Sequence, residues 1–126
     1  MKAVMIETKL ENSGHYVPGM ISGNTLYVSG QLPVHHETGA PMAADIAQQT
    51  RDALHNVELV LRAAGCRRER VALCRVYVSD ITLWDTVNEI YAAFFGMHKP
   101  ARVIVPTRTL HHGALIEIEA VAQLHE

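Results

Sequence analysis

Arg102 stands in the run Ala101-Arg102-Val103-Ile104-Val105-Pro106, a guanidinium set among apolar residues. Alternate residues of a strand share a face, so Arg102, Ile104 and Pro106 look one way and Val103 and Val105 the other. A guanidinium so placed has two uses. It can lie at a rim with its stem along apolar surface, or it can offer a planar fork of donors to a carboxylate. Glu117 and Glu119 alternate with Ile116 and Ile118 and so share one strand face. They are either the wet side of a half-exposed strand, or one of them holds a water or accepts a proton. Tyr16, between Gly14-His15 and Val17-Pro18-Gly19, reads from pattern alone as a packing aromatic in a loop. Asn88, within a helical pattern, reads as a solvated position.

Other chemistry is weakly signalled. The adjacent pairs His35-His36 and His111-His112 would point to opposite faces of a strand, and turn polarity accounts for both. No HExxH and no zinc-type Cys/His spacing occurs, so no metal is expected. GxSxG, Walker and GxGxxG motifs are absent. Cys66 and Cys74 form no CxxC pair and read as reduced, partly buried thiols. Arg67, Arg68 and Arg70 follow a helix, where cations suit the C-terminal dipole. With a formal net charge of -2, the chain lacks the basic balance a nucleic-acid partner requires.

These residues need a scaffold. The 126 residues, 48% hydrophobic and 19% charged, suit one domain spanning 1–126 with a real core. No apolar leader and no run of membrane-spanning length is evident, so a cytoplasmic protein is expected. Strands are expected at 2–7, on both sides of Gly23-Asn24 as a hairpin from Met20 to Ser29, and at 71–79, 102–108 and 114–122. Residues 10–16 read as loop. Asp45 and Gln48 have capping-box spacing ahead of a helix. Its apolar stripe is Ile46, Thr50, Ala53, Leu54, Val57, Val60, Leu61 and Ala64, with Gly65 as its stop. Thr82 caps a second helix with Trp84, Val87, Tyr91 and Phe94 on one face and Gly96 as its end. The order β-β-β-α-β-α-β-β predicts an α+β domain, a mostly antiparallel sheet of about six strands with two helices on one face.

Four segments together resemble one family. Tyr27-Val28-Ser29-Gly30-Gln31-Leu32-Pro33, Val87-Asn88-Glu89-Ile90-Tyr91-Ala92-Ala93-Phe94-Phe95, His98-Lys99-Pro100-Ala101-Arg102 and Gly113-Ala114-Leu115-Ile116-Glu117-Ile118-Glu119-Ala120 are similar to the RidA/YjgF enamine/imine deaminases in sequence, order and spacing. The resemblance implies a chorismate-mutase-like fold and a homotrimer with clefts between subunits. It implies hydrolysis of reactive 2-imino acids, the tautomers of 2-aminoacrylate-type enamines, to 2-oxo acids and ammonia, without a cofactor. The family's carboxylate-binding arginine falls on Arg102 and its water-positioning glutamate on Glu117. Its site tyrosine falls on Tyr16 and its helical asparagine on Asn88, and backbone around Gly30 lines the cleft. Many members have a cysteine where this chain has Ile104, and Gly-Pro-Tyr-Ser-Gln where it has Gly14-His15-Tyr16-Val17-Pro18. The implied cleft is therefore more apolar.

Three other readings stand beside deamination: a non-catalytic sensor of small carboxylates, an aminoacrylate-processing role in pyrimidine breakdown, and an endoribonuclease or translation inhibitor. Geometry adds one expectation. If the last two strands form a hairpin around His111-His112, Arg102 pairs near Val121, roughly 13 Å along the strand from Glu117. A neighbouring subunit is then expected to complete the cleft.

Overall fold

The computed structural model describes residues 1–11 and 14–126; Asn12 and Ser13, part of the expected 10–16 loop, lie outside the described residues. Three strands come first: β1 (Lys2–Val4), β2 (Gly19–Ser22) and β3 (Thr25–Gln31). β1 is half the length expected from residues 2–7. The β2–β3 hairpin forms as expected, with Gly23 at φ 60° and Ser22 opposite Thr25. Asn24 does not share the positive φ. Its amide instead ties the C-terminus, donating to the His125 carbonyl at 2.6 Å and accepting from the His125 N–H at 2.9 Å.

α1 (Ile46–Ala63) starts where Asp45 accepts a hydrogen bond from the Gln48 N–H at 2.9 Å. Only half of the expected capping box forms, because the Gln48 side chain reaches forward to Asp52. Thr50, Ala53, Leu54, Val57, Val60 and Leu61 are buried, and Gly65 at φ 71° follows the helix end. The strap between β3 and α1 is held by His35 to Asp52 (2.9 Å), His36 to Thr8 (2.8 Å) and the Asn56 amide to the Leu32 and Val34 carbonyls. The His35-His36 pair is thus a loop anchor.

β4 (Val71–Val78) leads into α2 (Trp84–Phe95) through a 3-10 turn at Ile81–Leu83. Asp80, not Thr82, caps this turn: its carboxylate accepts from the Thr82 N–H at 2.8 Å and leaves Thr82 inside the turn. Val87, Tyr91 and Phe95 are buried, Trp84 and Phe94 half-buried. Gly96 at φ 62° ends α2. β5 (Ala101–Pro106) and β6 (Ile116–Gln123) complete one six-stranded sheet, order β1-β2-β3-β6-β4-β5. Antiparallel pairing dominates, as expected, and α1 and α2 join the core on one face. No described helix is long and apolar enough to cross a membrane.

The expected hairpin between the last two strands is not there. α2 carries the chain back along β4, so β5 runs parallel to β4 at the sheet edge. Residues 107–115 then pass over the end of β4, where the Thr107 N–H meets the Val78 carbonyl at 2.7 Å and the Ser79 N–H meets the Leu115 carbonyl at 3.0 Å. β6 therefore enters between β3 and β4. His111–Gly113 is a 3-10 turn inside this crossing, not a hairpin turn. The register consequence is large. Arg102 lines up with Cys74 and, beyond it, Ala120, not Val121. That one-residue difference moves Arg102 to the opposite face from Glu117.

Candidate active site

The sheet's two faces differ sharply. The helix-covered face carries Leu26, Val28, Cys74, Val76, Val78, Ile116, Ile118, Ala120 and Ala122, all buried. The other face carries Tyr27, Leu73, Tyr77, Val103, Val105 and Val121, with an Arg75–Glu119 ion pair at 2.6 Å among them. Among the described residues no element covers it. Tyr27 is 50% exposed and Val103 47%, values set by an apolar surface left open.

Arg102 lies at the edge of the helix-covered face, half-buried under α2. Its Nη1 donates to Asn88 Oδ1 at 2.9 Å. Its Cζ stands 4.9 Å from the Tyr91 ring centroid and 5.5 Å from the Trp84 ring. Among the described residues no carboxylate pairs with it. Arg75, by contrast, reaches Glu119, and Arg68 reaches Glu58 and lies over Phe94. Asn88 is therefore no solvated helix residue. Ile104, two residues along β5, shares the Arg102 side and packs against the core. Cys74, directly beside Arg102 in the sheet, is fully buried, and burial pushes its thiol up to about 11, out of the range of a nucleophile.

Glu117 belongs to the open face, in the row of Tyr77 and Val105. Gly30 lies on it: a Cβ there would fall 2.6 Å from Glu117 Oε2. Gly30 sits in the irregular step of β3 between Val28 and Gln31, where the register to β6 shifts. The neighbouring Ser29 hydroxyl donates to the Val17 carbonyl at 2.6 Å, and the Ser29 N–H donates to the Pro18 carbonyl at 2.9 Å. These bonds bring the exposed Tyr16 loop to the Glu117–Gly30 step. Burial raises the Glu117 carboxyl above its ordinary value; His111 pulls it down and Glu119 pushes it up further. His111 thus does more than supply turn polarity. Its neighbour His112 holds φ 59°, an uncommon conformation for a side-chain-bearing residue.

The predicted site residues thus form two groups. Gly30 and Glu117 meet on the open face, with the exposed Tyr16 in the loop that Ser29 ties to their strand, while Asn88, Arg102 and Ile104 gather at the β5 edge under α2. Two strand spacings and three residues of register separate Arg102 from Glu117, about 14 Å between backbones with the sheet in between. Trp84 and Tyr91, read from sequence only as core positions, belong to the second group. Their spacing from Asn88, four residues on one side and three on the other, was the signal that could have found them. Among the described residues, no three of His, Cys, Asp and Glu are placed to share a metal ion.

The endoribonuclease L-PSP family model matches residues 6–124. The chain belongs to this family, the YjgF/RidA family. A 2-iminobutanoate/2-iminopropanoate deaminase of Escherichia coli strain K12 is 39% identical over 124 residues, 96% of each chain. A RutC family protein of Pyrococcus horikoshii is 38% identical over 121 residues, again 96% of each. Among solved structures, the YjgF gene product of Escherichia coli superposes with TM-score 0.92 at 38% identity, covering 99% of this chain and 100% of that one. Escherichia coli TdcF with bound serine superposes with TM-score 0.91 at 32% identity, covering 98% of each. RidA/YjgF relatives therefore include deaminases of 2-imino acids as well as proteins named only for the family.

Proposed function

We propose that this RidA-family chain hydrolyses 2-imino acids and their enamine tautomers of the 2-aminoacrylate type to 2-oxo acids and ammonia, in clefts completed by a second copy of the chain. The observation that carries this reading is Arg102: a half-buried guanidinium held by a neutral amide and two aromatic faces, with no carboxylate of its own among the described residues. A cation stripped of part of its water and left uncompensated is suited to an anionic ligand. The solved relative that holds serine, itself a carboxylate, supports the same choice of ligand.

In this reading Arg102 fixes the substrate carboxylate and so fixes the imine carbon, and orientation supplies much of the acceleration. Glu117, whose carboxyl is raised by burial, takes a proton from a water as the water's oxygen bonds to the imine carbon. The proton passes to the nitrogen, giving a carbinolamine; its hydroxyl proton then moves to that nitrogen as the C–N bond breaks and the C=O bond forms, releasing ammonia and the 2-oxo acid. No cofactor or metal takes part. Gly30 leaves room for the Glu117 carboxylate, Tyr16 closes the cleft, and Ile104 gives its wall an apolar character suited to an alkyl side chain. Because Arg102 and Glu117 lie on opposite faces of one sheet, Glu117 of one copy must meet Arg102 of another. The uncovered apolar face favours such assembly, and a homotrimer closes three equivalent clefts. The reading places the protein in the cytoplasm, where such imines form. It gives RNA no part: the chain's net charge is -2, and of the Arg67, Arg68 and Arg70 cluster two are already engaged with Glu58 and Glu126.

The test is an assay in which an amino-acid oxidase generates several 2-imino acids in turn while 2-oxo acid release is followed. Acceleration that depends on Arg102 supports the reading. Binding of 2-oxo acids with no acceleration for any imine would leave a carboxylate sensor instead.

A further inference from the structure

Trp84, Asn88 and Tyr91 follow one another at four and three residues along α2, so they stack on one helix face. All three meet the same guanidinium. Asn88 Oδ1 accepts from Nη1 at 2.9 Å, and the Tyr91 and Trp84 rings stand 4.9 and 5.5 Å from Cζ. A ring face attracts a cation without fixing its rotation about the ring normal, whereas a hydrogen bond to one nitrogen fixes that rotation. Together they determine where the guanidinium lies and how it is turned. Asn88 is also neutral: it occupies one edge of the fork without cancelling its charge, and the remaining donors stay available. The Tyr91 hydroxyl plays no part in this. It is buried against the Cys74 thiol, and it is the ring that faces Arg102.

We propose that Trp84, Asn88 and Tyr91 are positioning residues that pre-orient the Arg102 fork for a substrate carboxylate, with Asn88 acting through Arg102 and not by touching substrate. The inference rests on Arg102 being the carboxylate clamp. It differs from the expectation that Asn88 is itself a substrate ligand. A fork already held in its bound orientation loses less freedom on binding, and this is the source of the cradle's effect on affinity.

Trp84 is the chain's one tryptophan, so its fluorescence reports on the clamp directly. The experiment titrates 2-oxobutanoate into the full chain and follows that fluorescence, in the parent, Asn88→Ala, Asn88→Asp, Tyr91→Leu and Arg102→Lys, and in the double variants of Arg102→Lys with each Asn88 change. Calorimetry replaces fluorescence for Trp84→Leu, and melting temperatures are taken throughout. Asn88→Ala and Trp84→Leu should weaken binding roughly three- to tenfold, the scale of one neutral interaction. Asn88→Asp should bind more weakly than Asn88→Ala while melting no lower, because its carboxylate competes for the fork; a merely structural role predicts the reverse order. Tyr91→Leu, which removes the ring that faces Arg102, should weaken binding by a similar factor. On the Arg102→Lys background both Asn88 changes should lose most of their effect. Undiminished Asn88 effects on that background, or parent-like binding by Asn88→Asp, would overturn the cradle alone. A parent that does not bind 2-oxobutanoate, or an Arg102→Lys variant that binds it equally well, would remove the clamp and the cradle together.

Discussion

Replacing Arg102 by lysine keeps the charge and removes the fork. In the parent, Nη1 bonds Asn88 beside the Tyr91 and Trp84 rings, and in the proposed clamp the remaining donors are left for a substrate carboxylate. A lysine ammonium reaches the same region but cannot hold Asn88 and a two-point carboxylate grip at once. Loss of one charge-assisted hydrogen bond, about 1.5–3 kcal/mol, lowers kcat/KM by about ten- to a hundredfold. Misplacement of the imine carbon adds to this. The stability cost is smaller: one hydrogen bond to a neutral amide and a partly exposed cation–π contact, together about 1–2 kcal/mol for Arg102→Ala. The assay is imine hydrolysis with melting temperature beside it. Near-parent rates in both Arg102→Lys and Arg102→Ala would refute the reasoning. A fall in activity only as large as the loss of folded protein would make Arg102 a structural residue.

Other outcomes follow from the second half of the site. Glu117→Gln should cut kcat by about 10²–10⁴ while melting no lower than the parent at neutral pH. The sign comes from the raised folded-state carboxyl, whose stabilising contribution is present at low pH and lost as pH rises through its folded value. A stability profile that Glu117→Gln leaves unchanged between acid and neutral pH would contradict this. Gly30→Ala puts a methyl 2.6 Å from Glu117 Oε2, so the carboxylate must swing away and activity should fall by at least tenfold; a parent-like rate would mean that Glu117 needs no fixed position. Prolonged chelation should leave the hydrolysis rate unchanged, and a loss restored by zinc or manganese would overturn the metal-free reading.

How far the sequence foretold this depends on range. Local signals held: Asp45 and Gly65 bound α1, Gly23 makes the β2–β3 turn, and alternation on β5 and β6 assigns each residue's face correctly within its own strand. What failed was relating one strand to another. The spacing of the last two strands suits a hairpin, and nothing local in residues 107–115 tells a turn from a crossing. Pairing is decided by α2, which returns the chain alongside β4 and leaves the place beside β3 to β6. Asn88 shows the same limit. Its helix position looks solvated until β5 arrives parallel to β4 and sets Arg102 beneath it. The Asp80 cap was missed for a smaller reason, since the 3-10 turn before α2 moves the capping position upstream of Thr82.

The central claim is that Arg102 and Glu117 serve one reaction from different copies of the chain. Arg102→Ala and Glu117→Gln, each inactive alone, can be unfolded together, mixed in equal amounts and refolded. In randomly mixed trimers about a quarter of the clefts should then draw an intact Arg102 from one subunit and an intact Glu117 from its neighbour, restoring about a quarter of the parent rate. Recovery near that level would bear out the shared cleft. A mixture as inactive as its components, while size and melting behaviour match the parent's, would contradict it.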